Sequence, residues 1–390
     1  MTILGIDKLL VLNPAWKTKR IGLVTNQAAV TSSAIPTRTA LLDAGFNIIL
    51  LFSPEHGITT TGEDGAAMRN GMDELTNLPI ISLYGDYFMP SMNDLELIDF
   101  LLFDIPDAGV RFYTYLWTMT YCLEVCGKVN KPFVLLDRPN PISGQMLQVE
   151  GPQLTESTCS SFIGRWNIPI RHSCTFGELA SFFNSTKNLN CPLKVITCQH
   201  WTRDQYHSDT GLYFTPTSPA IHDEETLILY PGTCFLEATN LYEGRGSKDA
   251  FKVVGAPWLK ADTLINALQA YNSNEINYST TQIVSASKRF KNERCNTVKF
   301  EIIDSRSFKP VRFGLILLKC LKEIHAEFKW DLYPTSANPS GEQHLDKLLG
   351  IYQATDLFDI PWDQFLKRIE LETNISNSWS QKIKPFLIYS

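Results

Sequence analysis

The stretch Phe100-Leu-Leu-Phe-Asp-Ile-Pro-Asp-Ala-Gly-Val-Arg-Phe-Tyr-Thr-Tyr115 decides the fold. It opens with a short apolar run, turns through Pro and Gly, and enters an apolar segment with helical spacing over 115–129. A second apolar run follows at 133–136. Apolar runs of this length are typical of strands buried on both faces. The pattern therefore predicts a strand, a helix and a second strand parallel to the first.

The same alternation extends outward through the first half of the chain. Apolar runs recur at 21–24, 48–52, 80–83 and 194–197, and helical spacing occurs at 37–44 and 94–98. Thr175 and Glu178 form a capping box that marks the start of another helix. Alternating strands and helices predict the α/β class, with a Rossmann-like, mostly parallel sheet.

The second half has a different pattern. Residues 209–232 are rich in Thr, Pro, Ser and Asp with little periodicity, and we expect an irregular crossover there. Helical patterns follow at 260–271, 314–325 and 344–352, with a strand at 297–303. We therefore predict a Rossmann-like catalytic domain over 1–220 and a smaller mixed α/β C-terminal domain over 221–390 that closes the cleft.

Composition excludes several classes of partner. The 390 residues carry 35 Lys and Arg against 41 Asp and Glu, and no basic patch is visible, so we expect no nucleic-acid partner. No stretch of about 18 apolar residues occurs, which predicts no membrane insertion. Nine cysteines without a C-x-x-C pair argue against a disulfide framework. We expect a cytoplasmic protein, or a periplasmic or secreted one if a signal peptide has been removed.

Polar side chains follow four of the predicted strands. The carboxyl ends of parallel strands meet at one edge of a sheet, where ligands bind in a crevice. Carboxylates and arginines together suit a hydroxyl-rich anionic ligand such as a sugar acid. The four polar segments are Thr25-Asn26-Gln27, Ser53-Pro-Glu-His-Gly57, Asp104 through Arg111, and Asp137-Arg-Pro-Asn140.

Motifs for other chemistries are missing from the sequence. No G-x-G-x-x-G follows the first strand, and no Walker G-K-[ST], G-x-S-x-G or H-E-x-x-H occurs. His200 and His207, with acidic neighbours, fit a solvated loop better than a metal site. We therefore expect neither a nucleotide cofactor nor a metal.

Several long motifs resemble those of the exo-acting β-N-acetylmuramidases of the NamZ family. The similarity covers about residues 4–257, while the C-terminal third matches only in length and general pattern. The motifs are Ser53-Pro-Glu-His-Gly57, Asp104 to Tyr115, Leu136-Asp-Arg-Pro-Asn-Pro141, Glu150-Gly-Pro152, Glu178-Leu-Ala180, Glu243-Gly-Arg-Gly246 and Gly255-Ala-Pro257.

This resemblance implies a glycoside hydrolase with its active site in a cleft between two domains. Family members release N-acetylmuramic acid from the non-reducing end of peptidoglycan fragments during cell-wall turnover and recycling, without metal or nucleotide. The expected partner is thus a muramic-acid-containing saccharide, and the oligomeric state stays open. One or more of Arg111, Arg138 and Arg245 are expected to clamp the lactyl carboxylate.

For the mechanism, we expect Glu55 to be the general acid that protonates the glycosidic oxygen. The second catalytic group is Asp107, Asp137 or Glu243, in that order, or the acetamido group of the substrate. Further residues are expected to bind substrate: Asn26, His56, Arg111, Tyr113, Arg138, Asn140, His172 and Arg245.

Two other function classes stay open. Ser173 and Ala220 stand where the family has Gly and Asn, which would fit a sugar-acid binding protein of the same fold with altered catalysis. A Rossmann-type oxidoreductase or transferase is disfavoured by the missing phosphate-binding loop.

Overall fold

Parallel strands form the centre of the first half of the protein in the computed structural model, which describes residues 1–271 and 274–390. The strands are β1 (Ile21–Thr25), β2 (Ile48–Ser53), β3 (Gly71–Met72), β4 (Pro79–Ser82), β5 (Phe100–Asp104), β6 (Phe133–Leu136), β7 (Glu150–Gln153), β8 (Pro169–Arg171), β9 (Leu193–Ile196), β10 (Val253–Ala256), β11 (Ile276–Val284) and β12 (Arg294–Ile302).

Helices pack against these strands. They are α1 (Gly5–Leu12), α2 (Thr37–Asp43), α3 (Met92–Leu97), α4 (Tyr115–Lys128), α5 (Glu156–Cys159), α6 (Phe176–Thr186), α7 (Glu224–Thr233), α8 (Ala261–Gln269), α9 (Pro310–Ile324), α10 (His344–Leu349), α11 (Trp362–Thr373) and α12 (Ser376–Ile383).

The central sheet has the strand order β3-β4-β2-β1-β5-β6-β9 within the described residues. Its pairings are parallel except for β3 with β4. The chain moves from β1 to β2 on one side and later to β5 on the other, which creates the switch point where α/β sheets bind ligands. A second, antiparallel sheet has the order β10-β12-β11. The predicted fold class, a mostly parallel α/β sheet followed by a mixed α/β part, is confirmed.

Alternation along the strands explains the apolar runs. Leu51 and Leu102 belong to one buried cluster, while their neighbours Phe52 and Phe103 belong to the other. Successive side chains of a strand point to opposite faces, so a strand covered on both faces must be apolar at every position. The helix after β5 is equally buried, and Trp117 in α4 has no exposed surface.

One expectation is wrong. Residues 224–233, predicted as the end of an irregular crossover, form helix α7 despite containing Pro231. From Thr226 to Thr233 the helix is buried on every side, so it lacks the polar face that gives a helix its periodicity. Gly232 makes this burial possible, because a Cβ there would lie 1.9 Å from the carbonyl oxygen of Pro310 in α9.

The end of the chain returns to the first sheet. In α12, the Trp379 indole donates to the carbonyl oxygen of His172 (2.9 Å), and the Tyr389 hydroxyl donates to Asp137 (2.7 Å).

The division of the chain into two domains between residues 220 and 221 stays a prediction. Among the described helices, none is both long enough and apolar enough to span a bilayer.

Candidate active site

A cavity of about 630 Å³ lies between the loops after the central sheet and the C-terminal half. Its volume is within the range of about 300–1,000 Å³ common for small-molecule sites. We call it the main cavity. Polar residues of its wall include His56, Glu63, Asp64, Tyr113, Ser218, Glu243, Arg245, Lys288, Arg289, Asp331 and Tyr333.

Glu55 lines a smaller recess of about 60 Å³ that adjoins the main cavity, and we call it the Glu55 recess. The two spaces share five lining residues, so a sugar in the main cavity could place its glycosidic bond at the recess. The shared residues are His56, Asp64, Tyr113, Tyr230 and Tyr333.

A tight turn at the end of β2 positions Glu55. His56 and Gly57 both adopt left-handed backbone conformations (φ 66° and 72°), and the Gly57 amide donates to the Pro54 carbonyl at 3.1 Å. One Glu55 carboxyl oxygen accepts from the Gly65 amide (2.9 Å), and the other accepts from the Thr114 hydroxyl (2.6 Å). Loops after β2 and β5 therefore hold one carboxyl group in a fixed orientation.

The surroundings of Glu55 favour its protonated form. Burial raises the pKa of Glu55 above its ordinary value, and the charge of Asp64 raises it further, against the opposing effect of His56. Only 5% of the residue is exposed. A buried carboxyl group with a raised pKa is suited to act as a general acid.

Asp64 has the opposite protonation preference. Burial opposes its ionisation, but the Arg245 guanidinium, His56 and the Tyr333 hydroxyl outweigh that effect and lower the pKa of Asp64. Tyr333 donates to one Asp64 oxygen at 2.5 Å, and Arg245 lies 3.3 Å from the other. The site thus contains one carboxyl group that favours the acid form and one that favours the anion.

Arg245 is the centre of an ion-pair network. Besides Asp64, its guanidinium contacts Glu237 at 2.7 Å and Glu243 at 3.1 Å. Glu237 also contacts His344 Nε2 at 3.0 Å. Because three carboxylates share this guanidinium, Arg245 holds the side chains of Asp64, Glu237 and Glu243 in place. It is therefore not a free anion-binding group.

Five of the residues predicted from sequence lie together on the walls of these two spaces. They are Glu55, His56, Tyr113, Glu243 and Arg245.

The sequence did not indicate several other wall residues: Asp64, Tyr84, Thr114, Tyr230, Glu237, Lys288, Arg289, Tyr333 and His344. Four of them lie beyond residue 257, where no motif was available. For Asp64 the sequence does contain a signal, because the pair Asp64-Gly65 is typical of a turn. In the structure Gly65 has a left-handed backbone (φ 67°), and the Gly65 amide donates to Glu55.

Asp107 and Arg138 line a separate crevice of about 70 Å³ beside β1 and β5. One Asp107 oxygen accepts from the amide of Ala108 (2.8 Å), and the other lies 3.4 Å from His172 Nε2. Arg138 forms an ion pair with Asp104 at 2.6 Å. The structure therefore does not bring Asp107, Arg138 or the fully buried His172 to Glu55.

Three more predicted binding residues are buried in the protein interior. The Arg111 guanidinium donates to the carbonyl oxygens of Pro152 (2.7 Å), Ile168 (2.9 Å) and Leu348 (2.8 Å). Asn140 donates to the Cys174 carbonyl oxygen and accepts from the Ile142 amide. Asn26 accepts from the amide of Ala28. These contacts hold loops together, and none of the three residues lines the main cavity or the Glu55 recess.

Asp137 directly follows β6, and its fully buried side chain contacts the start of α6. It accepts from the Thr175 hydroxyl (2.8 Å), the Gly177 amide (2.9 Å) and the Tyr389 hydroxyl (2.7 Å). Burial raises the pKa of Asp137 to about 6. This carboxyl group joins β6, α6 and the end of the chain, and it lines neither the main cavity nor the Glu55 recess.

The raised pKa of Asp137 predicts a specific pH dependence of stability. Between pH ~4 and ~6 the folded protein binds more protons at this carboxyl than the unfolded chain, so its contribution to stability falls as pH rises. We expect the unfolding free energy of the wild type, minus that of Asp137→Asn, to decrease by about 2 kcal/mol between pH ~4 and pH ~7. Urea denaturation at both pH values measures this difference, and a constant or rising difference would contradict the assignment.

Glu55, His56 and Asp64 could in principle hold a metal ion, since one donor atom from each lies within 4.8 Å of the others. Their donors already have other partners, however. Both Glu55 oxygens accept hydrogen bonds, and His56 Nδ1 lies 2.8 Å from the Gly62 carbonyl oxygen. The Arg245 guanidinium beside Asp64 would also repel a cation. The donor set therefore fits acid–base chemistry better than metal binding.

Comparisons with known proteins cover both halves of the chain. Two family models match, described as exo-beta-N-acetylmuramidase NamZ, N-terminal (residues 21–225) and C-terminal (residues 228–389). The peptidoglycan beta-N-acetylmuramidase NamZ of Bacillus subtilis (strain 168) is 36% identical over 348 residues, which span 89% of this chain and 81% of that protein.

Two crystal structures of DUF1343 family proteins from Bacteroides fragilis NCTC 9343 have similar folds. One superposes with a TM-score of 0.87 at 26% identity, and the other with a TM-score of 0.72 at 25% identity. Each alignment covers 100% of this chain and 99% of the other.

Proposed function

The chain belongs to the NamZ family of exo-β-N-acetylmuramidases, and we propose that it releases N-acetylmuramic acid from the non-reducing end of peptidoglycan fragments. One observation carries the mechanism. Glu55, a buried carboxyl group with a raised pKa, lines a recess that adjoins a sugar-sized cavity, and one of its oxygens lies within 4.8 Å of an oxygen of Asp64, whose pKa is lowered. Glycosidases commonly use two carboxyl groups held in opposite protonation states.

In this proposal Glu55 donates its proton to the oxygen that leaves the anomeric carbon. The Gly65 amide and the Thr114 hydroxyl keep the carboxyl group aimed, so little reorganisation is needed in the transition state. Tyr113, Tyr230 and Tyr333 supply aromatic surface around the sugar. Tyr333 belongs to the C-terminal half, which therefore completes the wall of the site.

The lactyl carboxylate of the substrate needs a cation that is not already neutralised. Arg111, Arg138 and Arg245 all have internal partners. Lys288, in contrast, is an exposed side chain on the wall of the main cavity. The loop between β11 and β12 presents it, and the Ser285 hydroxyl stabilises that loop by donating to the Arg289 carbonyl oxygen (2.6 Å). We propose that Lys288 recognises the lactyl carboxylate.

Replacing Lys288 with Ala is expected to raise KM for a β-N-acetylmuramide about tenfold, equivalent to about 1.4 kcal/mol of lost charge recognition. The same variant should leave KM for the uncharged β-N-acetylglucosaminide unchanged, because that sugar lacks the lactyl group. Lys248→Ala provides the control, since Lys248 is not among the cavity residues. Equal effects of Lys288→Ala on both substrates would contradict the role.

The enzymatic assignment can be tested with chromogenic aryl glycosides. The purified protein should hydrolyse an aryl β-N-acetylmuramide without added nucleotide, and it should act much more slowly on the corresponding glucosaminide. A chelator in the assay separates metal-free from metal-dependent hydrolysis. Binding of the muramide without release of the aryl group would contradict the proposal and indicate a sugar-acid binding protein.

The two altered family positions lie in different places. Ser173 is completely buried in the interior, whereas Ala220 lies on the wall of the main cavity. Only Ala220 can affect substrate directly. Because Glu55 and Asp64 are both in place, the geometry favours an enzyme.

We also propose a cytoplasmic location. All nine cysteines lie in the described part of the chain, where they are buried free thiols. Buried free thiols are typical of proteins from reducing compartments. Fractionation of the native cells, followed by immunodetection, would test this proposal.

A further inference from the structure

We propose that Asp64 is the second catalytic carboxylate, the group that attacks the anomeric carbon while Glu55 protonates the leaving oxygen. This inference rests on the proposed hydrolase function and assigns a role that none of the sequence motifs indicated. It also replaces the acids ranked from sequence.

The spacing of the two carboxyl groups supports direct attack. A Glu55 oxygen and an Asp64 oxygen lie within 4.8 Å of each other. Retaining glycosidases hold their two carboxyl groups about 5–5.5 Å apart, while inverting enzymes need about 6.5–9.5 Å to admit a water molecule. An approach within this limit fits the retaining spacing better than the inverting spacing, so the geometry predicts retention of configuration.

The position of Asp64 also fits the role. It lines both the Glu55 recess and the main cavity, and its side chain is 34% exposed. A sugar in the main cavity can therefore reach it. The hydrogen bond from Tyr333 and the Arg245 guanidinium hold the carboxylate in one orientation and keep it ionised.

The other acids of the site are less suitable. Glu237 lines the recess, but Arg245 and His344 occupy its two oxygens at 2.7 and 3.0 Å. Glu243 lines the main cavity but not the recess that contains Glu55. Asp64 is the acid that combines exposure to the cavity with proximity to Glu55.

The proposed reaction has two balanced steps. An Asp64 oxygen forms a bond to the anomeric carbon, the bond to the leaving oxygen breaks, and the proton of Glu55 moves to that oxygen. In the second step a water molecule attacks the anomeric carbon and gives its proton to the Glu55 carboxylate. The bond to Asp64 then breaks, which restores both carboxyl groups and releases the sugar with its original anomeric configuration.

The first test uses the wild-type enzyme and no substitution. Proton NMR of early aryl β-N-acetylmuramide hydrolysis should show the β-anomer of N-acetylmuramic acid before mutarotation. Initial appearance of the α-anomer would overturn the proposal for Asp64 while leaving the hydrolase function intact. Absence of any hydrolysis by the wild type would instead overturn the proposed function.

The second test compares Asp64→Ala with Asp43→Ala, because Asp43 is an exposed aspartate of α2 that lines neither the main cavity nor the Glu55 recess. Asp64→Ala should lose about a hundredfold or more in kcat, and sodium azide should restore turnover by forming the α-glycosyl azide. Asp43→Ala should keep wild-type turnover.

Other results of the second test would overturn the proposal. Near-normal activity of Asp64→Ala would exclude the role, and so would a loss that azide does not restore in a folded variant, because attack by the acetamido group of the substrate would then be indicated. If Asp64→Ala fails to fold, the isosteric Asp64→Asn variant is assayed for loss of turnover, and unchanged turnover in it would exclude nucleophilic attack.

Discussion

Replacing Glu55 with Gln is expected to reduce kcat for methyl β-N-acetylmuramide, whose leaving group needs a proton, by about a hundredfold or more, the usual contribution of a positioned general acid. Gln keeps the size of the side chain and can still accept from the Gly65 amide, but it has no acidic proton to donate. Stability should change little, because Gln introduces no charge and keeps the hydrogen bond from the Gly65 amide. Steady-state kinetics and urea denaturation measure the two effects separately.

Glu74→Gln is the matched control for this variant. Glu74 is exposed, carries the same side chain, and lines neither the main cavity nor the Glu55 recess. It should retain wild-type kcat. In the wild type, activity should fall as pH rises through the raised pKa of Glu55, because the proton is then lost before catalysis. Near-normal turnover of Glu55→Gln would contradict the assignment.

Replacing Arg111 with Met is expected to lower the free energy of unfolding by about 3 kcal/mol or more. The Arg111 guanidinium donates to three buried carbonyl groups in separate segments, at Pro152, Ile168 and Leu348. Met fills much of the space but donates no hydrogen bond, so these carbonyl oxygens lose their partner in the interior. Chemical denaturation measures the loss.

Arg20→Met is the control for the Arg111 variant. Arg20 forms an exposed ion pair with Asp99, and such pairs contribute about 0–1 kcal/mol. The activity of the fraction of Arg111→Met that remains folded distinguishes the two possible roles of Arg111. A normal KM supports a structural role, whereas unchanged stability with a strongly raised KM would show that Arg111 binds the substrate carboxylate.

The central strands β1, β2, β5 and β6 could be predicted from sequence because almost every residue in them is buried. The run Phe133–Leu136, for example, is completely buried and has the predicted bounds. Helix α7 escaped prediction for the same physical reason, since burial on every side removes the periodicity that identifies a helix. A helix can therefore be predicted from sequence when only one of its faces is buried, because its apolar residues then recur periodically. A strand can be predicted when it is buried on both faces, because it then forms a continuous apolar run.

The candidate site was only partly predictable. Glu55 was identifiable because a Pro and a Gly constrain it directly after a buried strand. The same reasoning also selected Asp137 and Arg111, which the structure uses as buried hydrogen-bonding partners. A motif shows that a residue is constrained, but the path of the surrounding loops decides whether it faces a cavity or the interior.

Residues distant in sequence complete the site, and their approach could not be predicted. Tyr333 reaches Asp64 because the Ser336 amide donates to the Gly65 carbonyl oxygen at 2.7 Å, which attaches the C-terminal segment to the loop after β2. Thr335 packs so closely on Gly65 that a Cβ there would lie 2.6 Å from its methyl carbon. No local pattern indicates a contact of this kind.

The role of Glu55 as proton donor is tested most directly by varying the leaving group. The rates of the wild type and Glu55→Gln should be compared on methyl and 2,4-dinitrophenyl β-N-acetylmuramides. A methoxide leaving group needs a proton, so the variant should be slower by about a hundredfold or more on the methyl glycoside. Dinitrophenolate leaves without protonation, so bond cleavage in that substrate should proceed at nearly the wild-type rate. An equal loss on both substrates would contradict proton donation by Glu55.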